Sequence, residues 1–129
     1  MATYSSLIVT ESFLDANSNA YFVFGDNLER RGTGGAAKLR FHKRAIGFIT
    51  KKFPDNCDGS FYKPEEYSSV FFEELDKLEK IIKNSPNITF YISQLGAGLA
   101  NKYRIWEKLI QHNLIRRLEK FNNVIFCWE

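Results

Sequence analysis

A short apolar run, a glycine-bearing turn and then a helix-like stretch occur twice in this chain, and that repetition restricts the fold more than any other feature. The first instance is Ala20 to Gly25, then Gly25-Asp26-Asn27 and Gly32-Thr33-Gly34-Gly35-Ala36-Ala37; the second is Ile88 to Ser93, then Gly96-Ala97-Gly98-Leu99-Ala100. Strands that alternate with helices bury themselves in a parallel sheet covered on both faces. The expectation is therefore an α/β fold, a three-layer α/β/α arrangement around a mostly parallel, mixed sheet. In such sheets the loops leaving the carboxyl ends of the strands border a crevice, and glycines let backbone N–H groups approach a phosphate closely. The pattern implies a phosphate-bearing small molecule as ligand.

The rest of the chain fills in around this frame. Ser6 to Thr10 is β-branched and apolar and predicts an edge strand, Glu11 to Ala16 a helical turn, and Ala20 to Gly25, apolar throughout, a central strand buried on both faces. Gly34 to Arg44 is rich in Ala, Leu, Lys and Arg and predicts a helix. Ala45 to Thr50 is a second strand, in which Gly47 marks a bulge or a close backbone approach. Lys51 to Tyr62, with Pro54, Asp55, Asn56, Asp58 and Gly59, is a long irregular loop of the kind that often carries function. From Pro64 to about Asn84, Tyr67, Val70, Phe71, Leu75, Leu78, Ile81 and Ile82 recur at helical spacing, with Glu73, Glu74, Lys77 and Lys80 between them as the polar face. Asn101 is placed to cap a last helix whose core face is Tyr103, Trp106, Leu109, Ile110, Leu114 and Leu118, and Val124 to Trp128 closes the sheet.

At 129 residues the chain has room for one domain with a proper core, and residues 1–129 are read as that single domain. No apolar run approaches the ~18 residues that span a bilayer, and Met1 to Asp15 lacks the basic start and apolar centre of a signal peptide, so a cytoplasmic protein without membrane contact is expected. Cys57 and Cys127 have no CxxC partner and are expected as free thiols; no metal site and no cofactor are expected. The net charge of +3 is unevenly spread: Arg30 to Lys52 carries eight basic residues and no acid. That segment is either a solvated face or a positive rim that attracts a nucleotide or a nucleic-acid backbone.

Gly25, Gly32, Gly34, Gly35 and Ala36 from the first loop, and Gln94, Gly96, Ala97, Gly98 and Leu99 from the second, are the candidate ligand cradle. Neither loop fits a Walker A or GxGxxG pattern. Asp26 and Asn27 directly follow a buried strand, so their side chains are expected at the crevice, either on a ribose or base or in an Asx turn that fixes the loop. Thr50 and Lys51 end the neighbouring strand, with Lys51 or Lys52 a candidate phosphate contact or nucleophile. His42 and His112 have no acid or Cys at triad or metal-ligand spacing. Phe61 and Tyr62 are set either to stack on a base or to plug the core.

Thr50-Lys51-Lys52, a polar loop, Tyr62, the long helix, then Gln94-Leu95-Gly96-Ala97-Gly98-Leu99 and Trp106 occur in the order found in macrodomains. The chain resembles that family over about Ala20 to Glu129, and most resembles the small branch that removes ADP-ribose from glutamate. Short phage and bacterial proteins with FGDN, GGxA and ITK-type motifs are similar too. The resemblance implies binding of ADP-ribose, a related nucleotide or an ADP-ribosylated substrate, and in some members hydrolysis of the ADP-ribosyl bond. It assigns Asp26 and Asn27 to adenosine or ribose recognition, with a water-positioning catalytic role if the protein is a hydrolase, and the glycines to the phosphates and distal ribose. The sequence departs from that branch where its catalytic Asp would stand, which is Ala100 here, and the branch's catalytic Lys has no secure counterpart because this chain is shorter before Ile46. Two alternatives accompany this expectation: a non-catalytic sponge or sensor of a nucleotide signal, such as a phage counter-defence protein would be, and a nucleic-acid-binding module built on Arg30 to Lys52.

Overall fold

The computed structural model describes residues 1–129 as an α/β fold with a five-stranded sheet in the order β1-β5-β4-β2-β3. The strands are β1 (Thr3–Tyr4), β2 (Ala20–Asn27), β3 (Ala45–Lys51), β4 (Thr89–Ile92) and β5 (Val124–Phe126), and the α-helices are α1 (Glu11–Ala16), α2 (Pro64–Lys83) and α3 (Gln111–Leu118). Every strand pair is parallel. The expected mixed character reduces to one antiparallel bridge, Lys51 to Phe61, at the start of the long loop.

Parallel strands are joined by right-handed crossovers, and this handedness sorts the connections. Those from β3 to β4 and from β4 to β5 move one way along the sheet and carry α2 and α3; those from β1 to β2 and from β2 to β3 move the other way. Contacts agree. Phe48 of β3 meets Phe71 of α2 at 5.9 Å between ring centroids, whereas Phe13 of α1 meets Tyr91, which points out of the opposite side of β4, at 5.1 Å. The main core lies under α2 and α3, with Val23, Phe48, Tyr67, Phe71, Leu75, Phe90, Ile92, Leu114 and Phe126 among its buried members.

Several local expectations need correction. The β-branched run Ser6 to Thr10 is not a strand: the ladder with β5 ends at the bond from Ser5 N–H to the Phe126 carbonyl, and Thr10 instead caps α1 by accepting from Phe13 N–H. β5 is only three residues long, so it has no further backbone to offer. The helix expected over Gly34 to Arg44 does not form either. A single 3-10 turn, Gly35–Ala37, is followed by successive i to i+3 bonds, from Arg40 to Ala37, His42 to Leu39 and Ala45 to His42. Gly35 sits at φ +53°, outside the right-handed helix, so a regular α-helix cannot run through it whatever the propensity of the residues that follow.

Helix α2 runs as the periodicity predicts and starts with Pro64 in its first turn. Glu74, expected on the polar face, is buried and accepts from Ile49 N–H at 2.7 Å, while the buried Tyr67 hydroxyl donates to the Ile49 carbonyl. These two side chains satisfy the peptide groups that edge strand β3 turns away from β2. The last helix begins with a π-helical turn, Trp106–Ile110, that continues into α3. Asn101 does hold its start: Oδ1 accepts from Trp106 N–H at 3.0 Å.

No helix is long and apolar enough to cross a membrane.

Candidate functional site

β2 and β4 are neighbours whose outgoing connections leave in opposite directions, β2 toward β3 and β4 toward β5. This is a topological switch point, the place where a crevice opens beyond the carboxyl ends of a parallel sheet. A cleft of about 440 Å³ lies there, within the size range of small-ligand pockets. Its walls are the end of β2 (Gly25, Asp26, Asn27), the first glycine loop (Gly32, Gly34, Gly35, Ala36), the end of β3 (Thr50, Lys51) and the second glycine loop (Gln94, Gly96, Gly98, Leu99). Segments about seventy residues apart in sequence thus face each other across one opening.

One candidate does not reach it. Ala97 packs against the main core and does not line the cleft, and its amide donates back to the Gln94 carbonyl in a tight turn. Residues outside the candidate cradle line the cleft as well: Arg31, Ala37, Pro54, Asn56, Ser93, Leu95 and Ala100, the last being the position where the resembled branch has its catalytic Asp. Pro54 and Asn56 were discoverable as part of the long loop. Ser93 and Leu95 follow from β4 ending at the opening, but only once its end is known.

The glycines earn their positions by different means. Gly96 has φ +76°, and a Cβ there would come within 2.6 Å of Ile110 Cδ1, so the second loop settles directly onto the π-helical turn. Such turns are rare and recur beside functional sites. Gly34 and Gly98, by contrast, have open space where a Cβ would be. Backbone N–H groups of Thr33, Gly34, Gly96 and Gly98 donate to no acceptor within the protein. The two loops therefore present unspent donors at the opening.

Asp26 and Asn27 are buried, and their polar atoms hold the first loop. Asp26 Oδ1 accepts from its neighbour Asn27 N–H at 2.8 Å and from Arg40 Nη2 at 2.5 Å, and Oδ2 accepts from Arg30 Nη1 at 3.3 Å. Asn27 makes the Asx turn: Oδ1 accepts from Glu29 N–H at 3.0 Å and Nδ2 donates to the Arg31 carbonyl at 2.8 Å. The expectation that either side chain positions a water for hydrolysis thus meets a carboxylate paired with two guanidiniums and an amide bonded at both ends. Thr50 is buried, its hydroxyl 3.4 Å from the Asp26 carbonyl. Lys51 Nζ donates to Asn56 Oδ1 at 3.3 Å and lies over the Phe61 ring. Phe61 and Tyr62 are both buried, with the Tyr62 ring tilted against that of Tyr67 at 5.0 Å between centroids, so they plug the core.

The basic segment is largely committed to local partners. Arg30 pairs with Asp26 and Glu74, Arg31 with Glu29, Arg40 with Asp26 and Lys52 with Glu66, while Arg44 donates to the Ala20 and Leu14 carbonyls. Lys38, Lys43, Arg44 and Lys51 make no ion pair, and of these only Lys38 and Lys43 also lack a side-chain hydrogen bond. His42 has its side chain nearly enclosed, with Nε2 2.9 Å from Asp15 Oδ1 and Nδ1 accepting from Arg44 N–H. No cluster of three or more His, Cys, Asp or Glu side chains is arranged to hold a metal.

A protein-family model described as a family of unknown function, DUF7831, matches residues 4–104. The chain belongs to that family. No curated protein and no solved structure matches the chain. The DUF7831 match runs from the last residue of β1 through β4 and both glycine loops, and so takes in every residue that lines the cleft.

Proposed function

We propose that the protein binds an ADP-ribose-type nucleotide in this cleft and holds it without cleaving it. One observation carries the reading: two glycine loops meet at the switch point of a parallel sheet, with the amides of Thr33, Gly34, Gly96 and Gly98 free to donate to a diphosphate. The macrodomain resemblance of the motifs narrows the nucleotide to the ADP-ribose class. The preference for binding over hydrolysis rests on Asp26 and Asn27, whose side chains are spent on the loop, and on Ala100 in the place of the branch's catalytic Asp. Two free thiols, one of them exposed at Cys57, suit a reducing, cytoplasmic setting.

Isothermal titration calorimetry with ADP-ribose tests the proposal. Binding at micromolar Kd or tighter is expected, and the absence of heat at millimolar ligand overturns it. Gly34→Tyr and Gly98→Tyr place a side chain in open space at the opening, so each is expected to abolish the heat while leaving the unfolding temperature within about a degree or two, as for substitutions without buried contacts. Chromatography of the ligand after incubation separates the sponge or sensor from the hydrolase: unchanged ADP-ribosyl conjugate supports holding, and released product overturns that part.

A further inference from the structure

The first glycine loop is poor in backbone bonds of its own. After Arg30 N–H, which donates to the Asn27 carbonyl, no backbone amide finds a backbone partner until Ala37 N–H reaches Gly34. Gly32 lies at φ +94° in the midst of this stretch. Such a segment has many conformations to lose and little local structure to select one. What defines its path is a pair of side chains. Asn27 Nδ2 donates to the Arg31 carbonyl, and Arg40 donates three times: Nε to the Gly32 carbonyl at 2.6 Å, Nη2 to the Arg31 carbonyl at 3.1 Å, and Nη2 to Asp26 Oδ1 at 2.5 Å.

Arg40 is well placed for this. Its side chain is 8% exposed, its guanidinium stands 5.4 Å over the Phe24 ring, and its anionic partner Asp26 is 2% exposed. Arg30, the other cation on Asp26, is 52% exposed and reaches no loop carbonyl. A planar guanidinium that bonds a carboxylate and two carbonyls together is geometry an ammonium lacks.

We infer that Arg40 is the positioning residue of the cleft: it fastens the carbonyls of Arg31 and Gly32 to the buried carboxylate of Asp26 and thereby fixes where the following amides point. It touches no ligand. Its influence on binding passes through the loop, and only that part of the inference rests on the nucleotide reading.

Backbone 15N relaxation of the ligand-free protein tests the fastening directly, because the amides of residues 31–36 lie exposed without backbone partners, so that their mobility reports how firmly the loop is held. Arg40→Ala is expected to lower the order parameters of residues 31–36 from about 0.85 to below about 0.6, while those in β2, β4 and α2 change little. Arg40→Lys keeps the charge on Asp26 but not the planar fork that reaches both carbonyls; it is expected to loosen the same loop and serves where the alanine variant fails to fold. Arg30→Gln is expected to leave the loop order parameters near wild type. In the affinity arm, Arg40→Ala weakens ADP-ribose binding about tenfold, and ethylguanidinium at non-denaturing concentration restores part of it, a rescue that general destabilisation would not allow. Unchanged loop order parameters in both Arg40 variants, or a fall spread evenly over the sheet, overturns the inference. Wild-type protein that binds no ADP-ribose overturns the ligand reading alone, because the relaxation arm is read without ligand.

Discussion

A methyl group at position 47 would land on a carboxylate. A Cβ built on Gly47 comes within 2.2 Å of Asp26 Oδ2 and 3.0 Å of its Cγ, and Asp26 cannot swing aside while Arg40 holds it. Gly47→Ala is therefore expected to destabilise the protein by about 1–3 kcal/mol, the usual cost of overpacking, as read from urea unfolding. The cost should shrink when Asp26 is also replaced by alanine, since the two changes meet at one contact; a purely additive double mutant would contradict the packing argument. Gly47 as a site of close approach was legible in the sequence. Its partner was not, because Asp26 stands twenty-one positions earlier and comes alongside only through the parallel register of β2 and β3. Asp26 and Asn27 were likewise placed correctly at the end of a buried strand, yet the bonds that occupy them come from Arg30, Arg31 and Arg40, whose paths no local pattern announces.

Among the elements, α2 shows how far periodicity reaches. Its apolar positions at three and four residue spacing locate the helix and its buried face, but Glu74 reads as one more solvent-facing charge. Burial makes it a backbone acceptor instead. Tyr67→Phe removes the hydroxyl that donates to the Ile49 carbonyl and leaves that buried acceptor unpaired, so a loss of about 1–3 kcal/mol is expected by chemical denaturation. Glu74→Gln retains an oxygen for Ile49 N–H and is expected to cost less than Glu74→Met, which retains none; equal costs would mean that the bond is worth little. The segment after the first glycine loop illustrates the opposite failure. Ala, Leu, Lys and Arg favour a helix there, and an unbroken α-helix would carry Arg40 along a fixed ramp; the i to i+3 turns let its guanidinium fold back onto Gly32.

Over the whole molecule, alkaline pH is the condition that exposes what burial has done. Burial holds the Cys127 thiol up to about 11, against 9.0 for a free thiol, and pushes the Tyr67 phenol well above 10.0 with the nearby Glu74 charge adding to the effect. Between the free and the buried values the folded chain keeps protons that the unfolded chain gives up, so stability falls as pH rises from about 9 toward 11. The melting temperature, measured under reducing conditions, is expected to drop across that interval, and Cys127→Ala to flatten part of the drop. A melting temperature that holds steady or climbs would refute it.

At this scale the alternation of strands and helices was readable from the outset, and the order of strands was not. β1 has β5 as its only strand partner, and β5 is the last strand the chain makes. On the ribosome, then, β1 emerges before the cleft-forming segments β2 to β4 and waits for its partner until after they are made. The edge of the sheet closes only when Val124 to Phe126 arrives to fill the gap between the oldest strand and the rest.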